Sequence, residues 1–126
     1  MMMTSINPDA AILAAWERRN VAVADLVAFP ETTPCTGLYP PGEQEILSRL
    51  DEAESEIAAN NATTTRGVLI QLWAGLYHSL TDYEQQQMLE RGELDALLHP
   101  DAKLDYGHRL EVAALRSLKA MEAAEC

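Results

Sequence analysis

Asp105, His108 and Glu111 are spaced three residues apart, so on a helix they share a face and could offer one nitrogen and two carboxylates to a divalent metal. A helical di-metal centre needs Glu-x-x-His on two helices and a further Glu on each of two others. This chain has a single Asp-x-x-His and no second copy. A solvated charge cluster is the better account of the three residues, and no metal or other cofactor is expected. His78 and Asp82, four apart, could be imagined as an acid–base pair. Their positions suit helix ends without any catalysis: a histidine near a C-terminus favours the dipole, and an aspartate favours the next N-terminus. Cys35, within Thr33-Pro34-Cys35-Thr36-Gly37, has no Lys, Arg or His beside it in sequence to activate the thiol. With no nucleophile motif and no phosphate-cradling glycine loop, no catalytic residue is assigned and the chain reads as a non-enzyme.

The elements that would hold these residues are best read from the charge distribution. The 126-residue chain carries 20 acidic and 9 basic residues, a formal charge of -11, yet Gly67 to Thr81 (GVLIQLWAGLYHSLT) contains no Asp, Glu, Lys or Arg. On a helix, Val68, Leu69, Ile70, Leu72, Trp73, Leu76, Tyr77 and Leu80 cover roughly 200°, about twice the stripe of an ordinary surface helix. The remaining side holds Gly67, Gln71, Ala74, Gly75 and His78, a neutral face of small residues. Gly67, Gln71, Gly75 and His78 are therefore the interaction-face candidates. Packing against the first or last helix is the plain alternative to contact with a subunit or ligand.

Around this segment the helix signals are regular. Asn7-Pro8-Asp9 has the N-cap, first-turn proline and early acid of a helix start, so a first helix is predicted to about Ala28, with residues 1–6 disordered ahead of it. Its apolar face is Ile12, Leu13, Trp16, Val23, Leu26 and Val27, with Glu17, Arg18, Arg19 and Asp25 elsewhere. Residues 30–42 (PETTPCTGLYPPG) are too punctuated by proline and glycine for helix or strand and read as a long loop. A second helix from about Glu43 to Asn60 sets Ile46, Leu50, Ala53 and Ile57 as its seam, and its other faces are acidic, with Glu52, Glu54 and Glu56 as acidic-face candidates. One of Thr63 to Thr65 caps the uncharged third helix. Thr81 and Glu84 have capping-box spacing for a short helix to about Arg91, stopped by Gly92. A further turn from Glu93 to Leu98 precedes a last helix started by His99-Pro100-Asp101, with Leu110, Ala114, Leu118 and Met121 on one face and Val112 and Leu115 beside it.

These elements predict an all-α fold: one domain over residues 1–126, a small bundle of four main helices with a short helical insertion before the last. The acidic balance disfavours direct binding to nucleic acid or anionic membranes. The uncharged stretch is shorter than the ~20 residues of a membrane span. The N-terminus lacks the pattern of a signal peptide, and Cys35 and Cys126 fit no metal spacing and no expected disulfide, so a cytoplasmic protein is expected.

Pro8-Asp9-Ala10 with Trp16, the acidic helix ending near Ile57-Ala58, the joint Ala62 to Gly67 and the closing Leu115-Arg116-Ser117-Leu118 together cover about half of the chain. In this layout the protein resembles a loose group of short, uncharacterised all-helical proteins from bacteria, their phages and plasmids. The resemblance implies a bacterial or mobile-element accessory protein and carries no activity with it. The expectation is a non-catalytic interaction or assembly module, homodimeric or bound to another protein. The main alternative is an acidic inhibitor that occupies a basic, nucleic-acid-binding surface. A metal- or ligand-binding bundle comes third.

Overall fold

A computed structural model of the chain describes residues 9–29 and 41–125. The expectations for residues 1–6, for Asn7 and Pro8, for the 30–40 part of the loop and for Cys35 and Cys126 fall outside the described residues. The fold is all-α and of the small-bundle class, with no strand among the described residues. Contacts divide the chain into two compact units, one ending at Asn61 and the other beginning at Ala62.

The first unit is an antiparallel hairpin of α1 (Ala10–Ala28) and α2 (Pro41–Ala59). Its core is the predicted one on α2, where Ile46, Leu50, Ala53 and Ile57 are all buried. On α1, Ile12, Trp16 and Val23 are buried as expected, joined by Ala15 and Ala22, while Val27 is exposed. Two ion pairs fix the register, Arg18 with Glu56 and, at 2.9 Å, Arg49 with Asp25. The helix starts differ from the sequence reading. Asp9 takes the N-cap position of α1, two residues later than an Asn7 cap would allow, and its side chain makes no capping bond to the helix. Pro41 and Gly42, assigned to the loop, form the first turn of α2, where a residue with fixed φ and no N–H is well tolerated. Gly42 has a packing reason as well, because a Cβ there would come within 2.9 Å of the Phe29 ring.

Arg19 is the main departure in this unit. Placed on the polar side by the sequence reading, it is completely buried. Its guanidinium lies 4.8 Å from the centre of the Trp16 ring, one helical turn back, and Nη1 donates to Asn20 Oδ1 at 3.0 Å. The planar cation stacks on an aromatic face where a lysine could not, which reconciles a charge with a core position.

The second unit pairs α3 (Thr65–Ser79) with α6 (Tyr106–Ala124), and α4 (Tyr83–Glu90) and α5 (Leu94–Leu98) complete it. The pair is antiparallel: near the start of α3, Thr65 Oγ1 lies 2.5 Å from Glu125 and Arg66 lies 3.5 Å from Glu122, both at the end of α6. Thr64 caps α3 by accepting the Gly67 N–H at 3.0 Å. Leu69, Ile70, Ala74, Leu76 and Tyr77 are buried along it, but Val68 is exposed, so the predicted 200° arc is only partly covered. The C-terminal end of α3 is closed by a side chain, Gln86, whose Nε2 donates to the carbonyls of Tyr77 and Leu80.

Two helix starts in this unit correct the sequence reading. Asp82 caps α4 by accepting the Gln85 N–H at 2.9 Å, in place of the Thr81–Glu84 capping box. The shorter aspartate side chain is one residue nearer to the donors left open by the first turn. His99-Pro100-Asp101 opens only a 3-10 turn, Pro100–Ala102, with His99 Nδ1 accepting the Asp101 N–H. Lys103 then enters the left-handed region at φ 56°, which interrupts the chain direction, and α6 begins after Asp105. Gly92 ends α4 as expected. With φ +74° it allows the Gly92 N–H to reach Leu89 O and the Glu93 N–H to reach Met88 O, the paired bonds of a Schellman motif.

Candidate functional site

The metal-ligand candidates do not converge. His108 Nδ1 lies 3.9 Å from Asp105, and among the described residues no group of three His, Cys, Asp or Glu side chains could hold a metal ion. Asp105 acts as the residue that precedes α6, while Glu111 is half-buried one turn beyond His108. His78 is exposed in the last turn of α3, and Asp82 is engaged as the cap of α4.

The neutral face of α3 is split by the structure. Gly67 is buried at the capped start of the helix and Gln71 is half-buried, whereas Gly75 and His78 face outward. A Cβ built on Gly75 meets nothing within 4 Å, so no neighbouring backbone makes the close approach that the sequence suggested there. The buried side of α3 instead reaches Trp73, whose Nε1–H donates to Glu90 on α4 at 2.7 Å while the Lys119 ammonium from α6 lies 5.6 Å from its ring centre. Trp73 thus joins three helices.

The more open surface belongs to α6. The seam that the sequence assigned to its core is largely outside: Leu110 is 57% exposed, Met121 55%, and Ala114 is exposed between them. Val112 and Leu115, assigned to a flank, are fully buried. Tyr106, 76% exposed, extends the outer face by one turn toward the N-terminus. Tyr106, Leu110, Ala113, Ser117, Ala120 and Ala124 follow one another at spacings of four and three residues, and none is charged. A 3.5-residue repeat of this kind is what keeps one side of a helix against another helix. Arg116, at the edge of this face, is held by Asp95 on α5 at 3.0 Å.

On the first unit a second surface lies between α1 and α2. Ala14, Glu17, Arg18 and Val21 line it from α1, and Arg49 and Glu52 from α2. Arg49 binds Asp25 at 2.9 Å and Glu45 at 2.8 Å; these hydrogen bonds, the one to Asp25 first, push its pKa further above the ordinary arginine value. The acidic face beside it is partly occupied: Glu56 is paired with Arg18, Glu54 is half-buried, and Glu52 is exposed at the groove. Acidic residues also collect in unit two, where Asp82, Glu84, Asp95 and Asp101 line a shallow open depression with His99.

Arg91 donates to Glu93 through Nε at 2.8 Å and Nη2 at 3.2 Å, and this bidentate bond holds the Glu93 carboxyl below its ordinary pKa. No helix among the described residues is long and apolar enough to cross a membrane. Comparison of the chain with protein-family models, with curated proteins and with solved structures finds no match.

Proposed function

We propose that this protein is a non-catalytic helical interaction and assembly module that docks other helices on the outer face of α6. One observation carries the reading. In a chain with a formal charge of -11, the outermost arc of a 19-residue helix presents Tyr106, Leu110 and Met121 among small residues, and the exposed charges of the helix, Arg109, Arg116 and Lys119, lie outside that arc. Exposed large apolar residues scattered singly need no explanation, but three on one side of one helix do: Tyr106 and Leu110 belong to the heptad-like series, and Met121, eleven residues after Leu110, returns to the same side. The same face is locally suited to self-contact, because α6 carries Arg109, Arg116 and Lys119 against Glu111 and Glu122 and so escapes the acidity of the rest.

Replacing Leu110 and Met121 together by Glu tests this. Both side chains are exposed, so helicity and melting temperature should hold, while any assembly through the face should be lost. Light scattering behind size-exclusion chromatography, over a hundredfold concentration range, should show the wild type heavier than its 13.9 kDa chain and the double variant at the chain mass. Equal masses for the two proteins would remove α6 from the assembly.

The acidic-inhibitor reading draws less support from the geometry. Of Glu52, Glu54 and Glu56, one is ion-paired within the hairpin and one is half-buried, which leaves Glu52 as the freest of the three charges for a basic partner.

A further inference from the structure

We propose that His99 is a pH-operated latch on the 3-10 turn between α5 and α6: it caps the turn while its ring is neutral and leaves the backbone for the Asp101 carboxylate once the ring is protonated. Nothing in this depends on the outer face of α6. Nδ1 of His99 accepts the Asp101 N–H at 3.1 Å, and the same atom lies 3.5 Å from Asp101 Oδ2. One nitrogen thus faces both a donor and an acceptor of the same residue. A ring nitrogen accepts a hydrogen bond only when it carries no proton, so the cap selects the neutral tautomer with its hydrogen on Nε2. Protonation reverses the role of Nδ1. As a donor it can no longer cap, and a carboxylate beside it becomes its partner.

The surroundings decide which carboxylate that is. The charged groups that line the depression with His99 are Asp82 and Glu84 at the start of α4, Asp95 on α5 and Asp101 on the turn. Three of them are already engaged. Asp82 accepts the Gln85 N–H, Glu84 lies 3.7 Å from Arg91, and Asp95 binds Arg116 of α6 at 3.0 Å. Asp101 has no side-chain partner but His99 among the described residues. Both side chains are exposed, so the exchange of one bond for the other needs no opening of the core. The turn is held on its other side by Gln85 of α4, whose Nε2 donates to Ala102 O at 2.9 Å. Uncapping therefore leaves the turn fastened at one end alone, and the corner between α5 and α6 loosens without either helix unfolding.

NMR of the histidine ring nitrogens and backbone amides in the full chain, from about pH 8 to about pH 5, where histidines change charge, tests the latch. At the upper end His99 should carry its hydrogen on Nε2, with Nδ1 hydrogen-bonded. As the ring titrates, the Asp101 amide signal should move with the same midpoint, and its protection from solvent exchange should fall about fivefold, the factor that matches loss of a typical cap. His99→Asn supplies a capping side chain that does not titrate, so the Asp101 amide of that variant should not respond over this range. A His99 ring with its hydrogen on Nδ1 at the upper end overturns the proposal. So does an Asp101 amide that stays in place while His99 titrates, or one that shifts equally in His99→Asn, where the Asp101 carboxyl itself would be the titrating group.

Discussion

At the scale of single residues, Arg19 shows how a charge can be part of a core. Its neighbours Glu17, Arg18 and Asn20 are exposed, and nothing in the residue type marks it as the buried member of the run. The signal available in the sequence is position: Arg19 follows Trp16 by three, which places the guanidinium over the indole on the side where Ile12, Ala15 and Val23 also lie. The stem of the side chain covers apolar surface and the planar head stacks at 4.8 Å. Arg19→Ala removes both and opens a void, and the expected cost is roughly 2–5 kcal/mol, the range for large-to-small core changes. Arg19→Lys should recover only part of this, because an ammonium cannot reproduce a flat stack. Urea midpoints of the two variants and the wild type measure the difference. A cost below about 0.5 kcal/mol for Arg19→Ala would mean that the stacked position contributes as little as a surface site.

At the scale of elements, what was readable depended on how many independent signals agreed. The seam Ile46, Leu50, Ala53 and Ile57 was plain because its spacing and the acidity of the remaining positions gave the same answer. A cap among Thr63 to Thr65, which the structure narrows to Thr64, the Gly92 stop and the short α5 were plain for a similar reason, since each lies at a composition change. Starts marked by proline were misplaced. Pro100 initiates a turn as well as a helix, and only the left-handed Lys103 decides that the turn stops. The face of α6 was inverted because both of its sides are apolar enough to be core, and periodicity cannot say which side a fold will use. The candidate surface was therefore present in the sequence as a pattern but not as a surface. The α4–α5 joint gives a pH test of an element. The Arg91 bond lowers the Glu93 pKa from its usual 4.5, so the stabilisation is present above that value and is lost as pH falls through the lowered folded value. Glu93→Gln should therefore melt below the wild type at neutral pH, and the gap should close as pH falls below the lowered folded value. A gap that persists there would assign the loss to packing and not to charge.

At the scale of the whole molecule, the formal charge of -11 sets the sign of every long-range interaction, and that sign separates the readings. Self-association must overcome repulsion between two acidic bodies, and the outer arc of α6 proposed for contact is uncharged. Salt screens the repulsion, with a Debye length falling from ~10 Å at 0.1 M to ~3 Å at 1 M, while apolar burial persists. A dimer of this protein should tighten as salt rises through this range. The acidic-inhibitor reading has the opposite sign, because attraction between an acidic face and a basic, nucleic-acid-binding surface is what salt weakens. Dimer dissociation constants measured at about 0.05, 0.15 and 0.5 M NaCl decide the matter. A fall across the series agrees with contact through a neutral face, and a rise of tenfold would show that opposite charges hold the copies together and that the apolar surface of α6 is not the contact.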